Sequence, residues 1–178
     1  IRRVRDGRLY HCIVVELYGF DLRGAADVRP PARCDGVRVT KIVILGAGTG
    51  GTLTANRLRR AYGDAAQIVV IDRDDRHVYQ PSLLFVPFGL ADPDELVRSR
   101  AAQLHDGIDF RLAEVDRVET GANQVHLGDG TVLDYDVLVI ATGARLAPEE
   151  TEGLDGPGVY DFYTLEGATA LRDALAAF

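Results

Sequence analysis

The stretch from Lys41 to Asp72 constrains this chain most tightly. Ile42-Val43-Ile44-Leu45 is an apolar run without polar alternation, the pattern of a parallel strand covered on both faces. Gly46-Ala47-Gly48-Thr49-Gly50-Gly51 follows, with glycines at the G-x-G-x-x-G spacing. The first glycine allows a tight turn out of the strand, the second lets backbone N–H groups approach a pyrophosphate, and the third lets helix pack closely on strand. Leu53, Ala55, Leu58 and Ala61 continue at helical spacing, so a phosphate bound there would meet the positive end of a helix dipole. Gln67 to Ile71 read as a second strand closed by Asp72, about 20 residues beyond the last glycine, where a ribose-binding acid belongs. Strand, glycines, helix, strand and acid together point to a dinucleotide-binding βαβ unit. The alternative is a βαβ unit whose glycines serve packing alone.

Composition narrows the class further. The 178 residues are 47% hydrophobic and 26% charged, the balance of a globular protein with one core, and no apolar run approaches the roughly 18 residues that span a bilayer. A net charge of −7 argues against a nucleic-acid partner, whose phosphates would be repelled. The charge is uneven: residues 1–38 hold eight arginines against five acids, a balance of +3, so residues 39–178 carry −10. Cys12 and Cys34 both lie in that first segment, at a spacing that fits no zinc or redox motif. Without a disulfide framework, the cytoplasm is the expected compartment.

Residues 1–38 resist assignment. Leu9 to Leu17 reads as a strand, yet Arg29-Pro30-Pro31-Ala32-Arg33 breaks regular structure. Five acids spoil a transit-peptide pattern. The chain contains no methionine, and the recognisable pattern begins at Val39. The expectation is a non-native or disordered leader over 1–38, read in frame upstream of a start near Val39, and an incomplete nucleotide-binding domain over 39–178.

Beyond Asp72, a charged loop runs into Val78-Tyr79-Gln80-Pro81-Ser82-Leu83-Leu84-Phe85, a stretch suited to crossing the mouth of a cofactor site. Asp92 as N-cap with Pro93 behind it predicts a helix to about Leu104, ending at His105. Ile108 to Leu112 is a short strand. Glu114 to Glu119, Gln124 to Leu127 and Thr131 to Leu133 read as three antiparallel strands joined by glycine-containing turns, with His126 on the solvent side. Val137 to Ile140 is another buried strand ending in Ala141-Thr142-Gly143, small residues that let a backbone come close. Leu165 to Ala176 predicts a final amphipathic helix, with Leu171 and Leu175 four apart.

Three motifs carry a resemblance: Ile44 to Gly51; Ile71-Asp72-Arg73 with His77-Val78-Tyr79-Gln80-Pro81; and Tyr135 to Gly143. With the antiparallel excursion between the second and third, residues 39–178 resemble the N-terminal part of FAD-dependent pyridine nucleotide-disulfide oxidoreductases, on the branch of sulfide:quinone oxidoreductases and type II NADH dehydrogenases. The resemblance implies an α/β fold, a Rossmann-like FAD-binding domain with a parallel sheet and a three-stranded antiparallel excursion. It implies that Gly46, Ala47, Gly48, Thr49, Gly50 and Gly51 hold the FAD pyrophosphate through backbone amides. Asp72 would bind the adenosine ribose with Arg73 beside the adenine, and Val115 would touch adenine through its main chain. Pro81 would lie near the flavin, and Ala141, Thr142 and Gly143 would pack by the phosphate loop. Arg73 could instead suggest NADP, but the Asp72 charge would face the 2′-phosphate.

Such proteins continue with an NADH unit and a closing FAD segment, and sulfide oxidisers use cysteines beyond the region matched. This sequence resembles the front of such an enzyme, inactive alone, whose parent passes electrons from sulfide or NADH to a quinone with peripheral attachment at the inner face of a membrane. Two other readings are a flavoprotein reducing a soluble acceptor, and a non-catalytic nucleotide-binding module or inactive gene fragment. No catalytic residue or metal ligand is assigned.

Overall fold

The computed structural model describes residues 39–178, so the expectations for 1–38 lie outside the described residues. In chain order the elements are β1 (Thr40–Leu45), α1 (Thr49–Tyr62), β2 (Ala66–Asp72), β3 (Arg76–Val78), β4 (Val97–Ser99), β5 (Ile108–Leu112), β6 (Val115–Glu119), β7 (Gln124–Leu127), β8 (Val132–Asp134), β9 (Val137–Ile140) and α2 (Leu165–Ala176). They sort into two compact units, one of residues 39–74 with Ala101–Ala144, the other of Asp75–Arg100 with Arg145–Phe178.

The first unit is built on a parallel sheet in the order β5-β2-β1-β9. Side chains alternate across it. Ile42, Ile44, Ile68, Val70 and Val139 pack on one face with Ala47 and Ala55 of the loop and helix. Val43, Leu45, Val69, Ile71 and Leu138 pack on the other with Val125 and Leu127. The first face is covered by α1 and the second by the antiparallel sheet β6-β7-β8. Covering on both sides is why β1 and β2 are apolar at every central position, and each fully buried Val or Ile contributes about 1.5–3 kcal/mol. The expected parallel sheet and three-stranded excursion are both present.

The helix face differs from the expected one. Gly51, Thr52 and Ala55 are the buried residues of α1, with Leu58 and Tyr62 partly buried against them. Leu53 and Ala61 point to solvent. Small residues line the stripe because the helix start lies so close to β1 that a leucine would not fit, and the stripe is rotated accordingly.

The expected helix from Pro93 to Leu104 does not form. Its start is correct: Asp92 Oδ1 accepts the Asp94 N–H at 2.9 Å, and Pro93 opens a short 3-10 turn, Pro93–Leu96. Val97–Ser99 then extend as β4 and pair antiparallel with β3, joining Val78 to Val97 and Arg76 to Ser99. Val and Ser are weak helix formers, and strand pairing overrides the capped start. His105 therefore ends no helix; it follows the 3-10 turn Ala101–Gln103. Asn56 holds this connection, donating to the Gln103 carbonyl at 2.8 Å and accepting the His105 N–H at 2.8 Å.

In the second unit, Leu83, Val86 and Ala168 form a small core with Val78, Ala91, Leu96 and Leu165 around it. Leu83 and Val86 come from a 3-10 segment, Gln80–Phe88. The α2 helix spans the expected residues, started by Thr164, whose Oγ1 accepts the Gly167 N–H at 2.9 Å. Its buried contact is Ala168, whereas Leu171 is half-buried and Leu175 exposed. His126 faces away from the buried Val125 and Leu127, with Nε2 3.3 Å from Glu119 Oε2.

Replacing Asn56 by Ala leaves a backbone donor and acceptor of residues 103–105 without their partner. Chemical denaturation of Asn56→Ala is expected to show a loss of about 1–3 kcal/mol, and an unchanged midpoint would contradict this role.

Candidate functional site

At the C-terminal edge of the parallel sheet, β1 has β2 on one side and β9 on the other. The chain goes from β1 outward to β2 and β5, then returns to β9 across the opposite side of β1. Open α/β sheets bind ligands in the crevice at such a reversal of strand order. The glycine segment occupies that position, between the end of β1 and the start of α1.

Two of its glycines are demanded by the fold. Gly46 has φ +95°, and a Cβ there would collide with the Ala141 carbonyl oxygen and reach Thr142 Cα at 3.0 Å. A Cβ on Gly51 would collide with the Gly46 carbonyl oxygen. Ala141 and Thr142 are therefore packed against the loop, and Gly51 brings the helix start directly onto it. Gly48 and Gly50 are different. A Cβ on either meets nothing within 4 Å, and Gly48 has φ −71°, which any residue can adopt. Neither strain nor crowding in the protein demands glycine at these two positions. A ligand approaching the backbone would.

The loop is held by side chains. Asp72, at the tip of β2, accepts the Ala47 N–H on Oδ2 at 2.7 Å, with the Asp74 N–H 3.5 Å from Oδ1. The Gly46 N–H donates to the Ile71 carbonyl at 2.7 Å. Thr52 Oγ1 donates to the Ala47 carbonyl at 3.0 Å. The N-cap, Gly48, makes no side-chain hydrogen bond, and the first turn of α1 carries no acid. Its leading N–H groups have no intrahelical partner, and they lie at the positive end of a 14-residue helix.

These features fit a dinucleotide. There is open space where the glycines lack side chains, an uncapped helix start for a pyrophosphate, and beside them the Asp72 carboxylate, which holds the Ala47 N–H. The fit is narrower than the sequence implied. The Gly46 and Ala47 amides are engaged with β2, which leaves Gly48, Thr49, Gly50 and Gly51 for phosphate.

The other expected residues fall in both units. Arg73 follows Asp72 but extends into solvent, its Nε 4.0 Å from Asp74 Oδ2; an exposed pair of that length contributes little. Val115 begins β6 beside an irregular pairing with β7, shortly after Ala113, whose N–H donates to the Asp72 carbonyl at 2.8 Å. Thr142 and Gly143 are exposed, and Gly143 has φ +75°. Pro81 belongs to the second unit, where it lines a cleft of about 260 Å³ with Gln80, Leu84, Phe162 and Tyr163. Thr52 was not foreseen. Its signal in the sequence was a hydroxyl set between Gly51 and Ala55 on the helix face nearest the strand.

Gly51→Ala is expected to lower stability by about 1–3 kcal/mol or more, as overpacking does. Gly48→Ala should cost at most about 1 kcal/mol, the difference between the two residues at an N-cap. Thermal or denaturant melts of the two variants check this, and equal losses would contradict the division of roles.

A family model described as pyridine nucleotide-disulphide oxidoreductase matches residues 40–177. The mitochondrial sulfide:quinone oxidoreductase of Mus musculus is 27% identical over 147 residues, covering 83% of this chain and 32% of the relative. The type II NADH:quinone oxidoreductase of Staphylococcus epidermidis is 31% identical over 118 residues, covering 65% and 28%. The solved sulfide:quinone oxidoreductase of Aquifex aeolicus superposes with a TM-score of 0.66 at 24% identity, over 78% of this chain and 32% of that one; at this identity the likeness bears on fold alone. The chain thus spans about a third of the length of the relatives it matches. No helix among the described residues is long and apolar enough to cross a membrane. The chain belongs to the pyridine nucleotide-disulphide oxidoreductase family, whose members are FAD-dependent oxidoreductases.

Proposed function

We propose that residues 39–178 form the part of an oxidoreductase that holds FAD, and that the whole protein passes electrons from sulfide or NADH to a quinone. The observation that carries the first half is the unfilled space at Gly48 and Gly50, beside an uncapped helix start, at the strand reversal. In this reading the amides of Gly48 to Gly51 bind the pyrophosphate, while the Asp72 carboxylate at the tip of β2 accepts hydrogen bonds from the ribose hydroxyls. Ala141 and Thr142 form the wall that fixes the loop's position. Arg73 and the Val115 main chain flank the adenine, and Gly143 borders the phosphate loop. Bound FAD supplies the electron-transfer chemistry; the protein supplies position and electrostatics.

Support for the donor and acceptor comes from the names of the relatives, a sulfide:quinone and an NADH:quinone oxidoreductase. A quinone acceptor dissolved in lipid implies that the whole protein works at a membrane surface.

In the whole protein, Asp72→Ala is expected to weaken FAD binding by about 1–3 kcal/mol, from losing a charged acceptor. Because Asp72 also holds Ala47, the companion variant is Asp72→Asn, which keeps one oxygen for the Ala47 N–H. It should bind FAD more weakly than wild type while retaining most of the stability. Calorimetric titration with FAD checks both, and full affinity in Asp72→Asn would remove Asp72 from the ribose role. Reduction of a quinone analogue by sulfide or by NADH tests the electron path; turnover only with a soluble acceptor would contradict it.

A further inference from the structure

Thr52 buries its hydroxyl on the inner face of α1, with the residue 8% exposed. A buried hydroxyl needs a partner, and the one it uses is unusual. Threonines inside helices bond back to a carbonyl three or four residues earlier. Thr52 Oγ1 instead reaches five residues back, beyond the helix start, to the Ala47 carbonyl at 3.0 Å. The Thr52 main-chain N–H makes the ordinary helical bond, to the Gly48 carbonyl at 2.9 Å.

The consequence follows from peptide geometry. The Ala47 carbonyl and the Gly48 N–H belong to one planar trans peptide, so they point in opposite directions. A side chain that draws the carbonyl toward the helix interior turns the Gly48 N–H the other way. The preceding peptide is pinned too, since the Ala47 N–H donates to Asp72 Oδ2 at 2.7 Å. Ala47 itself is fully buried and cannot swing to compensate.

We propose that Thr52 is a positioning residue for the dinucleotide site: its hydroxyl, together with the Asp72 carboxylate, clamps Ala47 and thereby aims the Gly48 amide at the pyrophosphate. This rests on the FAD reading above, deepens it, and gives Thr52 a role in binding without contact with the ligand. It also explains why position 52 carries a hydroxyl between Gly51 and Ala55, the other buried residues of the helix. Valine would have the same shape and no need of a partner.

The test is calorimetric titration of the whole protein with FAD, and with ADP-ribose, which carries the pyrophosphate without a flavin. Thr52→Val keeps the shape and removes the hydroxyl; affinity for both ligands should fall about ten-fold, the scale of one buried hydrogen bond. Thr52→Ser restores the hydroxyl and should return affinity to within about two-fold of wild type. Undiminished binding by Thr52→Val, or failure of Thr52→Ser to rescue it, would overturn the clamp while leaving the FAD site intact. Failure of the wild type to bind either ligand would overturn the FAD reading and the clamp with it. If Thr52→Val does not fold, amide NMR of the wild type decides. On adding ADP-ribose the Gly48 proton should shift as it gains an acceptor while the Ala47 proton, already bonded, stays in place, and the reverse pattern would overturn the proposal.

Discussion

Ala47 has no functional group of its own, yet the first unit is arranged around its two backbone hydrogen bonds. One joins it to the carboxylate at the tip of β2, the other to the hydroxyl inside the first turn of α1. Those bonds, with the Gly46 N–H on the Ile71 carbonyl, tie strand, loop and helix together at one point. The carboxylate bond is charge-assisted, among the stronger kinds of hydrogen bond, and its partly covered position lowers competition from water. A loop fixed in this way presents its remaining amides in a set geometry, so little of their freedom is left to lose when an anion arrives.

The same point explains the choice of side chains nearby. Gly51 must lack a Cβ because the Gly46 carbonyl occupies that space, and Gly46 must lack one because Ala141 does. The close approach of three chain segments therefore propagates from helix to loop to the end of β9. At that strand end it is the backbone of Ala141 and Thr142 that Gly46 meets, whereas Gly143 has open space around it and answers to its own φ of +75°. Two glycines remain that this packing does not require, and they are the ones beside the uncapped helix start.

Much of this was legible from local pattern. The unbroken apolar run of β1, the glycine spacing, the alternation in β7 and the extent of α2 each carry their signal within a few neighbouring residues, although α2 buries Ala168 and leaves Leu175 exposed. What escaped depends on partners far away in the sequence. The strands β3 and β4 are three residues each, too short for a periodic pattern, and their pairing replaces the helix that the Asp92 cap and Pro93 begin. Asn56 and Thr52 look like ordinary helix residues until their partners come into view. The Asp72 position was legible, but its grip on Ala47 was not, because the motif assigns that acid to the ligand and says nothing of the loop.

In the proposed complex an adenine dinucleotide lies along the amides at the start of α1, with its ribose on Asp72. A crystal structure of the protein with FAD tests it most directly. Pyrophosphate oxygens should lie within hydrogen-bond distance of the backbone at Gly48 to Gly51, with a ribose hydroxyl on Asp72 while Ala47 keeps its bond to the same carboxylate. Density for the dinucleotide at another edge of the sheet, or an Asp72 that turns away from the sugar, would contradict it.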